Sequence, residues 1–144
     1  MSRGDPQATR LYAWEDACVA PRDSSRVDFA RMQALVDHVW KAEGLRWPPR
    51  MAPLPGQART LQARASRTRI EAPASLPSWI LLHEIAHAML TDIDGVGPGH
   101  GPAFVGLYVH LLVAHARMDR AALERSLTEA GLAFARDARP RVGA

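Results

Sequence analysis

At 144 residues, 47% of them hydrophobic, the chain is long enough to bury one core, and no apolar run reaches membrane-spanning length. A formal charge of +3 and a pI near 9.7 give a mild basic bias carried by arginine, since Lys41 is the only lysine; a charge this small reads first as a solvated surface. Cys18, the single cysteine, excludes an intrachain disulfide and a cysteine-built zinc ribbon and suits a reducing compartment, while the polar stretch from Met1 to Arg10 has no apolar run behind it, so a soluble, cytoplasmic protein is expected.

The expected organisation is a single domain over 1–144, with 1–6 and 137–144 loose. From Gln7 to Val19, Leu11, Trp14, Ala17 and Cys18 recur at helical spacing, and Pro21 follows as a stop. Asp28 can cap a second helix in which Phe29, Met32, Leu35, Val36, Val39 and Trp40 keep the i, i+3, i+4 rhythm, with Gly44 as its left-handed end. His38 falls off that stripe and reads as a surface residue. Four prolines between Leu45 and Pro55 rule out a central strand but allow an extended edge.

Gly56 opens the β region, where Thr60–Ala65 and Thr68–Ala72 suggest a hairpin around Ser66-Arg67 with Ile70 inward. Arg59, Arg64, Arg67 and Arg69 make it the most basic stretch, with only Glu71 to balance them. A solvated edge that discourages sheet-to-sheet pairing explains these charges; weak contact with nucleic acid is the alternative. Pro73 to Pro77 is punctuation, with Ser75 or Ser78 as possible caps, before a helix expected over about Leu76 to Thr91.

That helix carries His83-Glu84-x-x-His87. At about 100° per residue the two imidazoles lie roughly 40° apart on one face, a turn apart, and can share one metal ion. Glu84 lies on the same side, able to reach a water on that ion without being a ligand. Trp79, Leu81, Leu82, Ile85 and Met89 cover the other faces, which predicts a buried helix with one polar stripe. Two satisfied core histidines would be the alternative, but Glu84 would then be an expensive buried charge.

Three glycines and a proline make Asp92–Gly99 a loop, whose Asp92 and Asp94 read first as turn formers and second as carboxylates that support the metal site or ligate the metal itself. Pro102 suits the first position of the next helix, so His100 stands at the loop end in a fixed direction, and a dozen residues suffice to bring it to the ion as third ligand. Three protein ligands leave a fourth position for water, the pattern of a catalytic zinc site. Pro102–Ala116 then carries Phe104, Leu107, Tyr108, Leu111 and His115 on a core-facing stripe. Tyr108 reads as core with its hydroxyl satisfied, or else as a donor to a developing oxyanion. His110 reads as surface and His115 as core, and Asp119 caps a last helix through Leu123 and Leu127 to Gly131.

These residues resemble the SprT-like zinc metallopeptidases, a branch of the zincins that includes the Spartan DNA–protein crosslink proteases. The resemblance rests on His83-Glu84-x-x-His87 followed by His100-Gly101-x-x-Phe104, and extends from about Gly56 to Val113. The chain is also similar to small actinobacterial and phage proteins described only as metallohydrolases. The resemblance implies an α+β, minimal zincin-like fold, mostly helical with a small sheet whose edge strand holds an extended peptide substrate. It implies one zinc per chain on His83, His87 and His100, Glu84 as general base, and Phe104 as the packing residue that anchors the third-ligand loop. The metzincin extension is absent, since Leu90 and Ile93 stand where that pattern wants Gly and His. No zinc ribbon or other recognisable DNA-binding appendage is expected from these residues. The leading expectation is therefore a zinc metallopeptidase using an activated water. The others are a non-catalytic zinc-stabilised module that binds DNA or protein, and a metallohydrolase acting on a small amide or ester.

Overall fold

The computed structural model describes residues 5–55 and 63–141 and forms a small α+β fold with two sheets. Gly56, Arg59 and Thr60 lie outside the described residues. The described residues form two compact units, one of residues up to 24 with 98–139, the other of 25–97 with 140–141.

In the first unit, α1 (Ala8–Trp14) runs into one wide π turn, Glu15–Val19, and a 3₁₀ turn, Ala20–Arg22. The expected single helix had Ala17 and Cys18 on its inner face. The π turn changes the angular phase, so Leu11, Trp14, Glu15 and Val19 are buried, while Ala17 is exposed and Cys18 half-buried. The second helix here is α4 (Pro102–Ala116), with Pro102 in its first turn and Arg117 left-handed at its end. Burial is continuous from Phe104 to Val109 rather than confined to a stripe, and His110 and His115 are both half-buried. After Asp119, whose Oδ2 accepts the Ala122 N–H at 2.8 Å, α5 (Arg120–Glu129) packs on α4 through a face that includes Leu123 and Leu127. Trp14 ties α1 to α5, its indole N–H donating to Ser126 Oγ at 2.8 Å.

In the second unit, β1 (Arg26–Asp28) leads into α2 (Phe29–Ala42), where Asp28 takes the cap position without a side-chain hydrogen bond. Met32, Val36, Val39 and Trp40 are buried, Phe29 and Leu35 half-buried, and His38 exposed. β2 (Arg50–Pro53) is the expected edge strand and pairs in parallel with β4 (Arg69–Ala72), which pairs antiparallel with β3 (Arg64–Ala65), giving the order β2-β4-β3. Ile70, at the centre, is fully buried.

β5 (Ser75–Pro77) pairs antiparallel with β1 and opens directly into α3 (Ser78–Leu90). The expected serine caps instead bond to β1 and the residue before it: Arg26 Nε donates to Ser75 Oγ at 3.1 Å, and Ser25 Oγ donates to Ser78 Oγ at 2.9 Å. The segment that reads as punctuation is thus a short strand, and α3 begins two residues later than Leu76. α3 packs against β3, β4 and β5.

Residues 133–138 cross α4 closely, with the Ala135 N–H donating to Pro102 O at 2.9 Å. The crossing needs Gly106, because a Cβ there would lie 1.8 Å from Ala135 O. Glycine to alanine inside a helix ordinarily gains about 1 kcal/mol. Here the sign should reverse: Gly106→Ala should cost about 2 kcal/mol or more and lower Tm by about 4 °C or more, read by thermal unfolding. A wild-type or raised Tm would contradict the crossing.

Candidate metal centre

α3 presents its polar groups on a helix whose other faces are apolar: Trp79, Leu81, Leu82, Ile85, Ala86, Ala88, Met89 and Leu90 are all buried. Its helical repeat holds His83 and His87 one turn apart, ring centroids 4.9 Å apart and inclined by 60°. His83 is 6% and Glu84 8% exposed, and His87 is half-buried. Thr91 closes the helix by donating its hydroxyl to His87 O at 2.7 Å.

His100 is held by the first unit's own backbone and side chains. Gly99 takes φ +63°, and the Gly101 N–H donates to Pro98 O at 3.2 Å, so the chain turns sharply before α4 begins. Asp5 Oδ2 accepts both the His100 backbone N–H, at 3.1 Å, and Nδ1, at 2.5 Å. Gln7 Nε2 donates to His100 O at 3.0 Å. The imidazole meets Phe104 and Tyr12 edge-on, with centroids 5.1 Å and 5.3 Å away. Phe104 is fully buried and stacks in turn at 5.5 Å from Tyr108, the anchoring position expected for it.

One ring nitrogen from each of His83, His87 and His100 lies within 4.8 Å of the others, close enough to hold one metal ion. The donor chemistry fits such an ion. With Nδ1–H of His100 donated to the Asp5 carboxylate, the neutral tautomer leaves the Nε2 lone pair for a metal, the carboxylate–histidine arrangement that orients ligands at metal sites.

Comparison with models of known protein families, with curated proteins and with solved structures returned no match.

Asp92 is a turn former, its Oδ1 accepting the N–H groups of Asp94 and Val96 at 2.9 Å each, and neither Asp92 nor Asp94 belongs to the histidine group. Tyr108 is fully buried and donates its hydroxyl to Glu15 at 2.8 Å, which commits its one O–H proton. Of the four hairpin arginines, Arg64 and Arg69 both pair with Glu71. The hydrogen bond from Arg64, with the charges of both arginines, holds the Glu71 carboxyl below its ordinary range against the opposing effect of burial. Arg67 instead lies over the Trp40 ring, 5.1 Å from its centroid.

Asp5 and Gln7 were not found by sequence reasoning, nor was Glu15. Asp5 falls in the stretch expected to be loose, yet it is 9% exposed and meets a residue 95 positions away. No local pattern marks such a pairing. Its Oδ1 is buried with no hydrogen-bond partner among the described residues. Asp5→Ala should weaken metal binding about 10- to 100-fold in a chelator competition while leaving one metal per chain at saturation. Wild-type affinity would show that Asp5 does not orient His100.

Proposed function

We propose that this chain is a zinc-dependent hydrolase, and specifically a metallopeptidase of the zincin type holding one zinc on His83, His87 and His100. The observation that carries the reading is the three-histidine group, with a buried carboxylate, Glu84, next to its first member on the same helix. Three neutral imidazoles suit zinc, and three protein ligands leave a coordination position open, whereas structural sites are closed by four. Bound there, zinc would supply Lewis acidity, lowering the pKa of water toward about 7 and polarising a carbonyl.

The chain's own residues do the rest. The Glu84 carboxylate takes the proton of the attacking water and delivers it to the leaving amine nitrogen. Asp5 holds the tautomer of His100, and Glu84 is buried on α3 one residue from His83. A zinc site serving stability alone needs no base, so Glu84 favours this reading over a non-catalytic binding module. A peptide substrate is favoured over a small amide or ester by β3, packed on α3 and at the edge of its sheet among the described residues, where an extended chain can pair with its backbone. The resemblance of the two histidine motifs to the SprT-like metallopeptidases agrees with this choice.

Glu84→Gln should keep zinc and fold while lowering cleavage of an unfolded protein substrate by about 10²- to 10⁴-fold. A variant that cleaves at the wild-type rate would remove Glu84 from the reaction.

A further inference from the structure

The second unit carries a cleft of about 560 Å³ that the hydrolase reading does not use. Its walls include Trp47, Pro48 and Ile93 together with Arg50, Arg67 and Arg141. Trp47 is 72% and Ile93 76% exposed, large apolar groups left in water on one concave surface.

Trp47 is displayed by a braced loop. Trp40 donates its indole N–H to Arg46 O at 2.7 Å on one side; on the other, Gln33 Nε2 donates to Pro49 O at 3.0 Å and Gln33 Oε1 accepts the Met51 N–H at 2.7 Å. Between these braces Trp47 sits at φ +56°, a left-handed backbone that costs a bulky residue roughly 1 kcal/mol or more. Burying the indole would repay that strain in a core; here the ring stays exposed. Strain maintained to present a side chain points to a contact made there.

The charge of the cleft is as specific. Arg50, Arg67 and Arg141 come from three separate segments, and none is paired with a carboxylate among the described residues. The one acid of the lining, Asp92, spends an oxygen on its own turn. Arg67 is fixed over Trp40 and donates to Arg46 O at 3.5 Å, so its guanidinium is held in place.

We propose that this cleft docks an acidic protein segment in which a bulky apolar residue is flanked by several carboxylates. Trp47, Pro48 and Ile93 receive the apolar side chain, and the arginines receive the acids as hydrogen-bonded pairs. Three guanidiniums from three segments call for more than the single carboxylate of a chain terminus. Single-stranded nucleic acid fits less well: it needs a continued cationic track and flat faces for successive bases, whereas Arg64 and Arg69 are both engaged by Glu71, which cancels one of their two charges, and Trp47 is the one aromatic ring of the lining.

The test is fluorescence anisotropy with a labelled peptide of about ten residues, a Trp-Leu pair between runs of glutamate, added to the full chain at moderate salt. Trp47→Ala and, separately, Arg50→Glu and Arg141→Glu should each weaken binding about tenfold or more with unchanged Tm, and the same peptide with glutamine for glutamate should bind about tenfold more weakly. No binding by wild type, equal binding of the glutamine peptide, or wild-type binding by the folded Trp47→Ala variant would each overturn the proposal. Tighter binding by an oligothymidylate that displaces the peptide would overturn it too and make the cleft a nucleic-acid site. The readout is binding alone, so an inactive hydrolase site would leave the result unaffected.

Discussion

Burying imidazoles and a carboxylate on one helix is the constraint on which this architecture turns. In α3, ten of thirteen residues are buried, His83 and Glu84 among them. An ionised group taken out of water costs several kcal/mol unless its surroundings answer it, so polar groups in such a helix are costly unless something holds them to a purpose. The apolar faces contribute rigidity in return. Leu81, Leu82, Ile85 and Met89 leave α3 little freedom to rotate, and the spacing of its two histidines is fixed by the helical repeat itself.

His100 poses the opposite problem, because a loop does not fix a side chain by repeat. Its position is set by long-range hydrogen bonds and ring contacts. Asp5 grips both its backbone and its ring, Gln7 grips its carbonyl, and Phe104 and Tyr12 bound the imidazole. Gln7 also joins this corner to the far end of the chain, since its Oε1 accepts the Ala133 N–H at 2.6 Å.

Where structure follows from local rules, it was legible in the sequence. Pro102 and the apolar run behind it mark α4 to the residue, Asp119 caps α5, and the histidine spacing marks the polar face of α3. Two kinds of feature were not legible. The β1–β5 pair has three residues per strand, too few to display an alternation, and exists because residues 25 and 78 meet through space. Contacts such as Asp5–His100 and Tyr108–Glu15 join residues more than 90 positions apart, beyond any periodicity. The π turn belongs with them: a single added residue per turn rotates Glu15 inward and Ala17 outward, and no residue type announces it.

The proposed hydrolase requires one ion held by three imidazoles, and zinc content per chain tests that most directly. Elemental analysis of protein purified with zinc supplied, in wild type and in His83→Ala, His87→Ala and His100→Ala, should give close to one zinc in the first and substantial loss in each of the others. Zinc retained in full by His100→Ala, or none bound by folded wild-type protein, would contradict it.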